Sequence, residues 1–185
     1  MKKIKILFIL ANLILLNSCN FSNSKKPEII EIKKNNKPEI KIEEIKVDGY
    51  LGNYFKIKNF LVNDNSKNSY KALFEFEKLI KSIEIIKFSD VDQSQIKSII
   101  SNILNNVDKM KSESIKIQRL YFEKLSHNIF NLINIINPKI KVFHQYCPMF
   151  NQNKGGMWLS SSKEIFNPLF GSSMLKCGYV KSEIN

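Results

Sequence analysis

Ile96, Ile99, Ile100, Ile103, Leu104, Val107 and Met110 recur at the i, i+3, i+4, i+7 spacing that lines one face of an α-helix. No stripe in the chain is cleaner, and strand pairing cannot use it, because a strand alternates its faces every second residue. Three neighbouring segments share the period. Tyr50, Tyr54, Ile57 and Leu61 form one face, followed by Leu73, Phe76, Ile80 and Ile83, and later by Tyr121, Leu125, Ile129, Leu132 and Ile136. The breaks between them, Val62-Asn63-Asp64-Asn65-Ser66 and Ser89-Asp90-Val91-Asp92, are short and rich in capping residues. The expectation is an all-α antiparallel four-helix bundle over residues 47–137, with helices at about 49–62, 67–87, 93–111 and 114–137. Ile99, Ile103, Leu125, Ile129 and Leu132 are expected in its common core. The many isoleucines are imperfect helix formers, an effect that burial of an apolar face outweighs.

Asn137-Pro138 ends the periodicity. Residues 138–185 are expected to form an irregular, turn-rich segment with short strands at most, packed on the bundle. Ile140, Val142 and Phe143 suggest one such strand. Gly155-Gly156, Ser160-Ser161-Ser162, Asn167-Pro168 and Gly171 are turn chemistry. A segment of this kind needs packing, for which Trp158, Phe166 and Phe170 are available, or a crosslink.

The N-terminus reads as an export signal. Lys2, Lys3 and Lys5 precede an apolar stretch from Ile6 to Leu16 that is short for a membrane span. Leu16-Asn17-Ser18-Cys19 then resembles a lipobox, the signal after which a cysteine is lipidated, as with palmitate, and becomes the mature N-terminus. Residues 1–18 are therefore expected to be a lipoprotein signal peptide, Cys19 the lipidation site, and 19–46 a polar, proline-punctuated linker. Such a protein would be held on a membrane in the extracytoplasmic cell envelope, where disulfides persist.

The formal charge of +12 does not indicate a nucleic-acid partner. Arg119 is the sole arginine among 29 basic residues, and the lysines are scattered among Asn, Ile and Glu. Specific nucleic-acid surfaces lean on clustered Arg. Removing the three signal lysines leaves 12 − 3 = +9. An enzyme is not expected either, since no nucleophile-elbow pattern surrounds Ser160 to Ser162.

Chemistry concentrates in sulfur. Cys147 and Met149, Met157, then Met174 and Cys177 all fall after residue 146, whereas Met1 and Met110 are the only other methionines. Thiolate and thioether ligands select Cu(I), which accepts two to four of them. Structural zinc is less suited, lacking a CxxC pair. Cys147, Met149, Met174 and Cys177 form the candidate metal set, with Met157 and His144 in reserve. The alternative is a Cys147–Cys177 disulfide, closing a loop of about 30 residues worth about 3 to 4 kcal/mol. Composition favours the disulfide, with the methionines as core filler. His127 is expected at the surface or core edge. Met110 is read as packing, and Arg119 as a tie from the fourth helix to a carboxylate or carbonyl.

Gln118-Arg119, Phe122, Leu125-Ser126, Tyr146-Cys147-Pro148-Met149, Trp158-Leu159-Ser160, Ile165, Asn167-Pro168, Phe170-Gly171, Met174 and Cys177-Gly178 resemble the bacterial domain-of-unknown-function family numbered 3347, over roughly residues 47–181. Leu169 and Phe150 depart from its pattern. The resemblance implies an exported helical domain or lipoprotein of the kind also appended to periplasmic adaptor subunits of copper/silver-type efflux pumps. It implies copper handling, which moves soft-metal binding ahead of a disulfide-stapled interaction domain docking on such an adaptor or another envelope partner.

Overall fold

The computed structural model describes residues 49–137 and 139–184. The signal peptide, Cys19 and the linker lie outside the described residues. All described elements belong to one unit, Pro38–Asn185.

Four main helices come first: α1 (Gly49–Val62), α2 (Ser66–Lys81), α3 (Asp90–Met110) and α4 (Ile115–Ile136). Their ends follow from local chemistry. The Asn65 side chain accepts the Asn68 N–H at 3.0 Å, and Ser89 Oγ accepts the Asp92 N–H at 3.3 Å, each satisfying an N–H that lacks an intrahelical partner. Asp90 and Asp92 place negative charge in the first turn of α3, where the helix dipole favours it. Asn137 closes α4 in the left-handed conformation, its N–H donating to Ile133 O at 2.8 Å, and the following proline cannot continue the helix.

One boundary differs from expectation. α2 ends at Lys81, not near residue 87, and Ile85–Lys87 forms a separate 3₁₀ turn. Ser82 donates its hydroxyl to Leu79 O at 2.9 Å. This local bond competes with helix continuation, and the β-branched Ile83, Ile85 and Ile86 weaken helix propensity beyond it.

The helices pack pairwise, α1 on α2 and α3 on α4, with α2 also meeting α3. Tyr54, Ile57, Leu61, Leu73, Phe76, Ile80, Ile96, Ile103, Val107, Met110, Phe122, Leu125, Ile129 and Leu132 are fully buried. Each contributes about 1.5 to 3 kcal/mol of apolar burial, an upper estimate. Ile99, Ile100 and Leu104 are partly buried at the margin of the α3 stripe. Tyr54 stacks on Phe122 with centroids 5.1 Å apart, joining α1 to α4.

The all-α expectation needs correction beyond Pro138. That segment is a three-stranded antiparallel sheet, order β2-β1-β3, of β1 (Val142–Cys147), β2 (Gly156–Ser160) and β3 (Tyr179–Ile184). β1 and β2 are almost wholly buried, so their sequences lack the polar alternation that announces a half-exposed strand. β2 pairs along its whole length with Phe143–Cys147 of β1, Phe143 standing opposite Ser160 and Cys147 opposite Gly156. β3 pairs with the other edge of β1 through a register shift between His144 and Gln145. α4 packs on β2.

Candidate functional site

Cys147 is the last residue of β1 and is fully buried. Pro148 follows with no N–H to extend the ladder. Asn151, Gln152 and Asn153 then take consecutive left-handed conformations (φ 50°, 58° and 64°), which turns the chain back into β2. Asn is among the non-glycine residues that tolerate this region.

The partner cysteine arrives by a different route. Asn167, itself fully buried, donates its side-chain N–H to Cys177 O at 2.8 Å. Its Oδ1 accepts from Leu169 N and Phe170 N, and its backbone N–H donates to Leu175 O. One amide thus fixes both ends of the 167–177 loop. Cys177 N donates to Met174 O at 3.0 Å, closing the turn before the thiol. Gly178 follows at φ 136°, and a Cβ there would lie 2.8 Å from Tyr146 O and 2.9 Å from the Trp158 ring. The close approach of backbone to sheet at this point requires glycine.

The result is a sulfur pair. Cys147 Sγ and Cys177 Sγ lie 2.7 Å apart, and both thiols are free. Burial and the adjacent Cys147 push the Cys177 thiol up to about 11, while the backbone N–H of Met149 acts the other way by donating to the sulfur. At neutral pH the Cys177 sulfur is therefore a thiol, a poor nucleophile until a metal or an exchange partner displaces its proton.

The methionines are distributed unevenly around this pair. Met149 supplies its backbone N–H to Cys177 and is 50% exposed. Met174 is half-buried and supplies its carbonyl to Cys177 N. Met157 is buried in β2 opposite Tyr146, and His144 lies opposite Leu159. Because β residues alternate faces, Met157 and His144 fall on the sheet face away from Cys147. His144 sits against Phe130 (centroids 5.0 Å apart), with Nδ1 3.4 Å from Ser182 Oγ. Burial holds its pKa below the usual histidine value, reinforced by Lys181 and His127. Among the described residues no three His, Cys, Asp or Glu side chains converge as a ligand cluster.

The remaining candidates are accounted for. His127 is exposed on α4 with Nε2 2.9 Å from Glu123 Oε1. Met110 is core. Arg119 ties α4 to both a carboxylate and carbonyls: Nη2 to Asp64 Oδ1 at 2.6 Å and Leu61 O at 2.8 Å, and Nε to Pro168 O at 3.0 Å. Ser160 is buried, accepting from Lys58 Nζ at 3.2 Å and Ser162 N at 3.1 Å.

Sequence reasoning overlooked Gln145. Its Nε2 lies within 3.3 Å of the carbonyls of Ser162, Lys163 and Glu164, and its Oε1 accepts from Trp158 Nε1 at 2.6 Å. A glutamine two residues before a cysteine, in a strand that also carries Val142, Phe143 and Tyr146, was the available signal, since a buried amide must find partners.

The model of a family described as a protein of unknown function, DUF3347, matches residues 51–141, which run from α1 to the threshold of β1 and stop short of Cys147. No curated protein and no solved structure matches the chain.

Proposed function

We propose a function for a chain that belongs, through residues 51–141, to the DUF3347 family: it binds a soft metal ion, Cu(I), as an exported, lipid-anchored accessory to heavy-metal handling or efflux in the cell envelope. The observation that carries this reading is the 2.7 Å approach of two free thiols from opposite ends of the C-terminal segment. Two sulfurs at one point are the minimum soft donor set for Cu(I). Cys147 and Cys177 would hold the ion, and Met149 and Met174, two and three residues from them in sequence, would supply a third or fourth donor. The bound ion would supply charge to stabilise the Cys177 thiolate that burial otherwise disfavours. Export and anchoring rest on the charged start, the short apolar stretch and Leu16-Asn17-Ser18-Cys19.

The same pair supports a second reading. Two neighbouring thiols, one buried and one half-buried, outside the cytoplasm are the usual precursors of a disulfide, and the crosslink would staple the sheet of an interaction domain that docks on an efflux adaptor or another envelope partner. Competition between the reduced full chain and a Cu(I) chelator separates the two. One equivalent of Cu(I) taken up, and lost in Cys147→Ser and Cys177→Ser, is the expected result. No uptake by protein whose two thiols titrate as free would discard the metal function and leave the stapled domain.

A further inference from the structure

β3 is the least supported element of the sheet. Tyr179 through Glu183 are all exposed, and only Ile184 is partly buried. Its side-chain contacts are peripheral: an edge-on Tyr146–Tyr179 ring contact at 5.8 Å, Lys181 over the Tyr146 ring at 5.5 Å, Ser182 beside His144, Glu183 between Lys141 and Lys163 at the surface, and Ile184 at the margin of the core. What remains is the ladder with β1, interrupted by the register shift at His144/Gln145. A strand that buries so little apolar surface opens locally at small cost.

The sulfur pair sits at one end of that ladder. Cys147 ends β1, Tyr146 pairs with Tyr179, and Cys177 lies just before β3 begins. Gly178, between the thiol and the strand, is pressed against Trp158, the single tryptophan of the chain. β3 cannot lift from its Tyr179 end unless Cys177 and Gly178 leave Cys147 and Trp158.

We propose that the Cys147–Cys177 pair is a latch: joined, by a disulfide or by a soft ion held between the sulfurs, it locks β3 onto the sheet, and unjoined it lets β3 detach and leave β1 as an open edge. The idea rests on the sulfur pair of the proposed function and adds what its occupancy controls. In the oxidative branch the pair exchanges with a disulfide such as oxidised glutathione. The two protein thiols lose two protons and two electrons and form one S–S bond, and the oxidant leaves as two glutathione thiols. In the metal branch each sulfur releases its proton to solvent as it binds the ion. Either crosslink forbids separation at the Tyr179 end and so raises the free energy of opening the strand.

Amide hydrogen exchange over residues 179–184 of the full chain tests the latch in three states: reduced and metal-free, oxidised with glutathione disulfide, and reduced with one equivalent of Cu(I). Exchange at least about tenfold slower in whichever crosslinked state forms is expected, with Trp158 emission changing in parallel. Cys177→Ser should exchange like the reduced protein under every condition, with its helical circular dichroism unchanged. A mass two hydrogens lower, proving the disulfide, without slower exchange in β3 would overturn the latch and leave the sulfur-pair reading intact. If neither disulfide nor copper adduct forms, the sulfur-pair reading fails and the latch falls with it.

Discussion

Tyr54 Oη on α1 lies 2.6 Å from Ser126 Oγ on α4, and the same hydroxyl accepts the Leu159 N–H of β2 at 3.0 Å. Ser126 Oγ donates onward to Phe122 O at 2.8 Å, so the Tyr54 proton must go to Ser126. One buried relay therefore joins sheet to helix to helix. Each member is polarised by the next, and losing one strands the rest without water to replace it.

Tyr54→Phe is expected to lower stability by about 1 to 3 kcal/mol, because it keeps the ring stacked on Phe122 but leaves the Leu159 N–H buried and unpaired. Urea denaturation checks this. A loss below about 0.5 kcal/mol would mean that the relay carries little of the docking between sheet and helices.

Arg119 joins three segments at once, and a lysine cannot reproduce its planar fork. Arg119→Lys should cost about 1 to 2 kcal/mol, less than a fully buried ion pair because the Asp64 side chain is a third exposed. Gly171→Ala should do similar harm by another route. Gly171 has φ 59°, and a Cβ there would fall 2.1 Å from Arg119 Nη2 and 2.2 Å from Asp64 Oδ1. Thermal melts of both variants, and of the double variant, should show less than additive loss.

Met149→Leu with Met174→Leu should weaken Cu(I) binding by about tenfold, equivalent to about 1.4 kcal/mol, while barely altering stability. In the stapled reading the double variant changes nothing measurable, and Cys177→Ser destabilises the C-terminal segment by about 3 kcal/mol. Chelator competition and denaturation of the same proteins decide between them. Copper affinity should also rise with pH throughout the neutral range, because the Cys177 thiol, pushed up to about 11, must release its proton to bind. A pH-independent affinity would remove Cys177 from the ligand set.

The His127 pKa stands above the ordinary 6.5, chiefly through its hydrogen bond to Glu123. A histidine with a raised folded-state pKa contributes stability that is full below about 6.5 and lost as pH rises through the folded value. Titration by NMR should give a midpoint above 6.5 that falls toward it in Glu123→Gln. A midpoint indifferent to that substitution would exclude the pairing.

The helices were legible because each buries a continuous stripe of large apolar residues, and the stripe is a property of local spacing. The place where α2 stops was not, since Ser82 and its isoleucine neighbours decide it by a balance of a few tenths of a kcal/mol per residue. The start of β1 was legible at Val142 and Phe143, but its full length and the whole of β2 were not, for the opposite reason. Buried on both faces, they carry no alternation, and β3, exposed on nearly every residue, looks like a polar tail.

Sequence by itself therefore determined the four helical stripes, the break at Pro138 and the concentration of sulfur after it, because composition and periodicity are local quantities. Sequence raised the Cys147–Cys177 pairing as an expectation, but tertiary structure alone decided by what route the two cysteines meet, that His144 and Met157 fall on the sheet face away from Cys147, and that Asn167 and Gln145 hold the connecting loops. Those outcomes depend on strand register and on where buried amides find their partners, and a chain separation of 30 residues carries no trace of either.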